Sequence, residues 1–226
     1  MKNIDKTILK DQVVKNLIIR NETQADYKNV EIMIRDAFWN LYEPGADEHY
    51  IAHIVRKHED FIPKLDLVAE YEGQIVGHVM YTKAGLVDEN GNRKEILSFG
   101  PLSVHKQYQR IKIGKALLEK SFELAIELGY DAIVIFGHPG NYVSRGFRSC
   151  KRYNVCLEDH TYPTAMLVKE LIPGVFDGKK WIYQESPAYQ FESADAENYD
   201  KSFEPKEKLY QASQEEFYIY SSSRIR

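Results

Sequence analysis

Three basic residues surround a glycine just before a long amphipathic segment of the chain. Arg110, Lys112 and Lys115 flank Gly114 within VHKQYQRIKIGKALLEKSFELAIELGY, residues 104–130. The first backbone N–H groups of a helix have no helical partner, and the helix dipole favours an anion at that end. Basic side chains are contrary to the acidic preference of a first helical turn, and a bound phosphate would explain them. The alternative interpretation is a solvated basic turn.

The segment after this loop predicts the helix that positions it. On a helical wheel, one arc collects apolar and small residues, and the opposite arc collects charged residues. The first arc consists of Gly114, Leu117, Leu118, Ser121, Phe122, Leu124, Ala125 and Leu128. Gly129 suits the C-terminal cap. A helix with such a buried face places its N-terminus near the strand ends of a sheet.

Strand-like and helix-like segments alternate around this helix. The turn Glu72-Gly73 is typical of a β-hairpin, and Asn21 or Thr23 could cap the first helix. The predicted strands cover 17–20, two runs within 65–83, about 96–104, 131–136 and 165–171 as the last core strand, and the predicted helices lie within 21–39, 47–61 and 113–128. An antiparallel meander followed by alternation predicts a single mixed sheet with helices on its faces.

The composition limits the class of protein to which the loop belongs. The chain has 226 residues, with 30 Lys and Arg against 34 Asp and Glu, a formal charge of -4. It lacks the basic excess of a nucleic-acid-binding protein, so we expect no nucleic-acid partner. No apolar run approaches the roughly 18 to 20 residues that span a bilayer, so we expect a cytoplasmic protein with no membrane partner. Cys150 and Cys156 are expected to be half-buried free thiols.

Two common phosphate-binding motifs do not fit the loop. Gly114-Lys115 is followed by Ala116 instead of Ser or Thr, and the three-glycine dinucleotide fingerprint is absent. However, the order of elements resembles the GNAT superfamily of N-acetyltransferases. This order is a strand, the loop Q-x-x-x-x-G-x-A, an amphipathic helix, a strand and then a Tyr four residues before Gly-Phe. In that family the loop typically reads Gln/Arg-x-x-Gly-x-Gly/Ala. Here Lys112 stands where the first glycine is usual.

Further segments extend the resemblance over about residues 17–185. SFGPLSV resembles the family's fourth strand, GHPGNYVSRGF the segment after its fifth, and AEYEGQIVGHVMY its second and third strands. With AMLVKELIPGVFDG, these segments look like a bacterial subgroup of predicted acetyltransferases that carry a C-terminal extension.

The resemblance implies a fold and a division of the chain. The fold class is α/β (α+β in some schemes), the GNAT fold, with one mixed, mostly antiparallel sheet flanked by helices. Residues 1–16 would form an N-terminal arm, 17–173 the GNAT acetyltransferase domain, and 174–226 a C-terminal extension packed on the core or partly disordered.

The resemblance also implies acetyl-CoA as the cosubstrate. The pyrophosphate would lie on the amides of the basic loop, and the fourth strand would pair with the pantetheine arm. Lys112 would either weaken the phosphate cradle or offer its ammonium to a phosphate. Asn141 would cap the following helix or reach the pantetheine. The residues implied to bind the cofactor are Leu102, Ser103, Val104, Gln109, Arg110, Ile111, Lys112, Ile113, Gly114, Lys115 and Asn141.

Acetyl transfer from a thioester to an amine needs a neutral amine, a polarised carbonyl and a proton for the departing thiolate. Tyr142 stands where many family members carry the general acid; the alternative is a packing tyrosine. Glu95 and His78 are candidate bases by residue type; the alternatives are a solvated strand end and a structural histidine. The remaining histidines lack ligand spacing, so we expect no metal.

The predicted function is transfer of acetyl from acetyl-CoA to a primary amine of a small molecule or protein, by direct attack in a ternary complex. The alternative is a CoA-binding sensor or scaffold of the same fold with little catalysis. The tail alternates aromatic and acidic residues, and it could close over the acceptor pocket, mediate a homodimer or remain a solvated end.

Overall fold

The structure is a computed structural model that describes residues 12–225. Most of the predicted N-terminal arm, residues 1–11, lies outside the described residues, and residues 12–16 are helical. The α-helices that follow are α1 (Tyr27–Phe38), α2 (Glu48–Val55), α3 (Ile113–Glu127), α4 (Pro139–Tyr142), α5 (Ser193–Asp200) and α6 (Ala212–Ser222). The strands are β1 (Ile18–Asn21), β2 (Leu67–Tyr71), β3 (Gln74–Asp88), β4 (Arg93–Val104), β5 (Ala132–Phe136), β6 (Arg148–Ser149), β7 (Val155–Cys156), β8 (Tyr162–Pro163), β9 (Met166–Glu170), β10 (Trp181–Gln184) and β11 (Arg224–Ile225).

One mixed sheet organises these elements. Its strand order is β1-β2-β3-β4-β5-β9-β6, with β10 paired to the far end of β3 and to β7. Among the pairs of this sheet only β4–β5 and β7–β10 are parallel. The prediction of a mixed, mostly antiparallel sheet flanked by helices is confirmed.

The hairpin between β2 and β3 forms where its sequence predicts it. Glu72 and Gly73 have φ angles of 50° and 75°, both left-handed, as a two-residue type I′ turn requires. Such a turn fixes the register of the two strands, and Tyr71 lies opposite Gln74. The turn therefore aligns the first half of the long strand β3 under α3.

Two sequence predictions of the element boundaries are wrong. The N-cap of α1 is Asp26 and not Asn21 or Thr23. The backbone N–H and the hydroxyl of Thr23 both donate to the Asp26 carboxylate, at 2.8 and 2.7 Å. Strand β9 is not the last core strand, because β10 follows it and pairs with β3 from Trp181↔Asp88 to Gln184↔Gly85. Part of the predicted extension thus belongs to the sheet.

The two faces of the sheet carry different helices. Helix α3 buries Leu117, Leu118 and Ala125 against β2 and β3. A close approach is possible because β3 has Gly77 below the first turn of α3, where a β-carbon would lie 2.9 Å from Cγ2 of Ile113. The opposite face packs against α1 and α2, whose buried residues include Val30, Ile34, Ala52 and Val55.

The chain after β10 returns over α1 and α2. Arg35 is 2% exposed and donates to both carboxylate oxygens of Asp200, at 2.6 and 3.0 Å, and to the carbonyl of Glu204, at 2.9 Å. The indole N–H of Trp39 donates to the carbonyl of Glu207 at 2.9 Å. These contacts hold the segment that leads into α6 against α1.

Two further predictions concern membrane-spanning segments and the two cysteines. None of the described helices has the length and apolar character needed to cross a bilayer. Cys150 and Cys156 are free thiols, as expected, but both are fully buried and not half-buried.

Candidate active site

A cleft opens where β4 and β5 separate. The two strands pair only at Leu97↔Ile133, and the strand register between β3 and β4 shifts opposite Gly100 and Pro101. From residue 98 onward, the described part of the chain places no strand on the β5 side of β4, so backbone groups along that edge remain free for a ligand. The cleft has a volume of about 1090 Å³.

The basic loop and the N-terminus of α3 form one end of the cleft. Arg110 and Lys112 have φ angles of 70° and 78°, and Lys112 is the N-cap of α3. The backbone N–H of Ala116 donates to the carbonyl of Lys112 at 3.0 Å, and the preceding amides of the first turn have no such helical partner. Lys112 therefore adopts the left-handed conformation that glycine favours, at a cost of about 1 to 2 kcal/mol.

Two cations of this loop are available to a ligand. Lys115 pairs with Glu119 one helical turn later, at 3.2 Å. Arg110 and Lys112 line the cleft, and neither forms an ion pair with any residue within 12–225. The side chain of Gln109 donates to the carbonyl of Val104 at 3.1 Å, which fixes the loop to the end of β4.

Most of the predicted cofactor residues lie along the cleft. The lining includes Leu102, Ser103, Val104, Gln109, Arg110, Lys112, Ile113, Gly114, Lys115 and Asn141. Ile111 does not line it, because its side chain is 2% exposed and packs into the core below the loop. Asn141 lies inside α4 and does not cap it. The cap is His138, whose Nδ1 accepts from the Gly140 N–H at 3.1 Å.

Tyr142 lies in the lining of the same cleft, at the end of α4. Its ring packs against Phe99 and Phe147, with centroids 5.8 and 5.7 Å apart. Burial raises the pKa of Tyr142 above its ordinary value, and the neighbouring Tyr42 and Tyr220 raise the pKa further. The phenol therefore stays protonated at neutral pH and retains a proton that it can donate.

The two candidate bases do not line the cleft. The side chain of Glu95 is 56% exposed and pairs with Lys83 at 3.8 Å. His78 is fully buried, and its Nε2 lies 2.8 Å from the Asp66 carboxylate. Burial lowers the pKa of His78 to about 4. Residue type suggested both groups, but the sheet directs neither of them into the lining of the cleft.

His78 instead belongs to a buried polar cluster with Glu22 and Asp66. Their ligand-type atoms lie within 4.8 Å of one another, a spacing that could hold a metal ion. However, Arg56 donates to both oxygens of Glu22, at 2.9 and 2.8 Å. The guanidinium already supplies the compensating charge, and it would repel a cation. We therefore propose no metal at this cluster.

Sequence reasoning missed the other end of the cleft. This end is built by α1, α2, the segment after β10 and α6, and its larger lining residues are Phe38, Tyr42, Glu48, Ile51, Glu185, Tyr189, Glu216, Phe217 and Tyr220. Tyr42 stacks on Phe217 with ring centroids 4.6 Å apart, and the Tyr220 ring lies 4.9 Å from that of His138. The aromatic and acidic residues of the tail were visible in the sequence, but the sequence did not show where the tail packs.

A protein-family comparison decides the family. Residues 31–149, just over half of the chain, match the model described as the acetyltransferase (GNAT) family. The chain belongs to the GNAT family. The predicted family and fold are therefore confirmed.

Two relatives are described as N-acetyltransferases and a third as a probable hydrolase. The uncharacterized N-acetyltransferase YhbS of Escherichia coli is 29% identical over 140 residues, covering 62% of this chain and 78% of YhbS. YjhQ of the same species is 34% identical over 89 residues, covering 39% of this chain and 48% of YjhQ. The probable hydrolase YhcX of Bacillus subtilis is 29% identical over 145 residues, covering 57% of this chain and 27% of YhcX. The chain thus spans about half of YjhQ and about a quarter of YhcX.

Two solved structures share the GNAT fold. The crystal structure of E. coli YhbS in complex with CoA has a TM-score of 0.66 at 21% identity and covers 78% of this chain and 94% of that one. A GNAT-family acetyltransferase from Brucella melitensis in complex with acetyl-CoA has a TM-score of 0.61 at 21% identity and covers 77% and 98%.

Proposed function

We propose that this protein transfers the acetyl group of acetyl-CoA to a primary amine by direct attack within a ternary complex. The observation that carries this proposal is one continuous cleft. It joins the unpaired amides at the start of α3, the free edge of β4 and the phenol of Tyr142. The two solved structures described above hold CoA or acetyl-CoA on the same fold, which supports the choice of cosubstrate.

The residues of the cleft fit the parts of acetyl-CoA. When bound, the cosubstrate supplies an acetyl group activated as a thioester. Amides of the first turn of α3 would bind the pyrophosphate, and Arg110 and Lys112 would add positive charge. The free backbone of β4 near Leu102 and Val104 would pair with the pantetheine amides. The Ser103 hydroxyl is buried without a hydrogen-bond partner among residues 12–225 and adds a polar atom at this edge.

Three groups of the cleft would each assist one part of the acetyl transfer. A backbone N–H near Leu102 to Val104 would polarise the thioester carbonyl as the amine nitrogen attacks its carbon. As the C–N bond forms and the C–S bond breaks, Tyr142 would donate its hydroxyl proton to the departing sulfur. The proton lost by the attacking nitrogen would pass to a carboxylate of the cleft. The bonding pair of the broken C–S bond stays on the sulfur, and the tyrosinate of Tyr142 would regain a proton from solvent before the next turnover.

Thermal unfolding tests the cosubstrate. Acetyl-CoA, CoA, ATP and NAD are added separately, each in excess. Ligand at about 100 times its Kd adds roughly 2.7 kcal/mol, which for a chain of this size raises the Tm by about 5 to 10 °C. A rise with both CoA species and not with ATP or NAD supports the proposal. No rise, in protein free of carried-over CoA, overturns it.

The Tyr142→Phe variant tests the acid. We expect kcat for an acetylated amine to fall about 10²-fold or more at neutral pH, with the acetyl-CoA thermal shift retained. Tyr210→Phe is the matched control, because Tyr210 is 70% exposed and lies outside the cleft. Unchanged turnover in Tyr142→Phe would show that the phenol is a packing group and not the acid.

A further inference from the structure

The charges of the cleft are divided between its two ends. The lysines and arginines of its lining come from two places. Arg110, Lys112 and Lys115 belong to the basic loop and the first turn of α3, and Arg145 follows α4. The carboxyl groups of the lining all come from the other end, namely Glu48, Glu185 and Glu216. Since a CoA pyrophosphate matches the basic end, the acidic end is left for the acceptor and favours a cation.

Two of these carboxyl groups differ in their exposure. Glu48 is the first residue of α2 and is partly buried, and burial raises its pKa to about 8. The side chain of Glu185 is exposed. Neither forms an ion pair with a Lys, Arg or His anywhere in residues 12–225. Glu48 is therefore largely protonated in the free protein at neutral pH, and a bound ammonium group would favour its carboxylate form.

Glu48 and Glu185 come from separate elements and line the same cleft as Tyr142. Glu48 begins α2, and Tyr42 of the preceding turn lines the cleft with it. Glu185 follows β10, four residues before Tyr189, whose hydroxyl donates to the carbonyl of Gly100 on β4 at 3.5 Å. Both carboxyl groups therefore belong to the cleft that opens where β4 and β5 separate.

Aromatic rings form the walls between the carboxyl groups. Phe38 and Tyr42 come from α1 and the turn after it, and Phe217 and Tyr220 come from α6. Tyr42 packs against both Phe38 and Phe217, at centroid distances of 5.8 and 4.6 Å. Such walls suit a flat or branched apolar body, and their π-faces also favour a cation. A polar peptide backbone would leave its amides without partners on these walls.

We propose that the acceptor is a small primary amine that carries an ammonium group on an aromatic body, held between Glu48 and Glu185 and against rings contributed by α6. This inference rests on the proposed acetyl transfer. The ammonium keeps Glu48 in its carboxylate form, so Glu48 accepts the proton that the ammonium loses before its nitrogen attacks and releases it to solvent, and Glu185 is a binding residue. Helix α6 of the C-terminal extension thus supplies two of the four aromatic rings that would contact the acceptor, Phe217 and Tyr220.

An amine panel tests the acceptor class at saturating acetyl-CoA, with CoA thiol release as the readout. The amines are 2-phenylethylamine, phenylalanine, spermidine and a lysine-containing peptide. Phenylalanine has the same aromatic body with a carboxylate added, which Glu48 and Glu185 would repel. We expect kcat/KM for 2-phenylethylamine to exceed that for each other amine by about tenfold or more.

Variants then test the named residues. Glu185→Gln should raise the KM for 2-phenylethylamine about tenfold, and Glu48→Gln should lower kcat as well. Phe217→Ala should raise the same KM. Glu215→Gln and Tyr218→Ala are matched controls on α6, because both residues are exposed and lie outside the cleft. The acetyl-CoA thermal shift of every variant reports whether the fold and the basic end are intact.

The outcomes separate this inference from the proposed function. Absence of any acetyl-CoA thermal shift overturns the function itself. A normal shift with the peptide or spermidine preferred, or with no turnover of 2-phenylethylamine, overturns the acceptor assignment and leaves cofactor binding in place. Equal effects of Phe217→Ala and Tyr218→Ala would show that α6 acts through stability and not as a wall of the acceptor site.

Discussion

The ring of Tyr142 lies directly against the α-carbon of Gly137, so closely that a β-carbon on Gly137 would be 2.5 Å from Cε2 of the ring. Gly137 follows β5, and Tyr142 ends the short helix α4. The absence of a side chain at residue 137 therefore lets the phenol lie in the cleft where β4 and β5 separate.

Gly137→Ala should displace Tyr142 and lower kcat by about 10²-fold, because a misplacement of about 1 Å can have an effect of that size. The KM for acetyl-CoA should change little, since the loop and α3 are untouched. Gly85→Ala is the control, because its β-carbon would make only an ordinary contact of 3.4 Å with Gln184. An equal loss of kcat in both variants would contradict a specific role for the Gly137 contact.

Lys112→Gly should stabilise the protein by about 1 kcal/mol, because glycine accepts the left-handed conformation without the steric cost of a β-carbon. For a chain of this size that corresponds to a rise in Tm of about 2 to 4 °C in the absence of ligand. Lys120→Gly on α3 should lower the Tm, since glycine inside a helix destabilises the protein by about 1 kcal/mol. A fall in Tm for Lys112→Gly would show that the strain is not released.

The same Lys112→Gly variant separates the two roles left open for this lysine. Weaker CoA binding, measured by titration at low and high salt, would show that the ammonium contributes through charge. Tighter binding would show that the side chain hinders the approach of a phosphate. We expect weaker binding that converges on the wild-type value at high salt, because Lys112 already adopts the left-handed conformation that glycine would adopt, so the variant removes mainly the charge.

The kcat of the wild-type enzyme should stay level as the pH rises through 10, the ordinary pKa of tyrosine. The acid role needs the protonated phenol, and burial raises the pKa of Tyr142, so protonation persists above that pH. A pH–rate profile from 7 to 10.5 measures this. A decline with a midpoint at or below pH 10, absent in Tyr142→Phe, would contradict the raised pKa.

Arg35→Met should loosen the C-terminal extension, because it leaves Asp200 without its bidentate partner. Removing one member of a largely buried pair costs about 3 kcal/mol. We expect faster hydrogen exchange over α5 and α6 and a higher KM for the amine, with the KM for acetyl-CoA retained. Lys120→Ala removes only an exposed pair with Glu123 and should change stability by less than about 1 kcal/mol.

Local chemistry explains which elements could be predicted. The hairpin at Glu72-Gly73 and the buried face of α3 depend on residues close together in the chain, and both form as expected. The N-cap of α1 could not be chosen this way, because Asn21, Thr23 and Asp26 all have suitable side chains. Asp26 precedes the helix because residues 24–26 form a turn in the folded chain.

The sequence by itself determined the sheet, the GNAT family and the loop that would bind an anion, because motif order and periodicity are properties of neighbouring residues. Only the tertiary structure decided which residues form the end of the cleft that we propose for the acceptor. Glu48, Glu185 and Phe217 meet in one cleft from distant parts of the chain. Glu95 and His78 have the right chemistry but lie elsewhere. No local pattern records which distant elements will pack together, because that choice is made by the burial of the whole core.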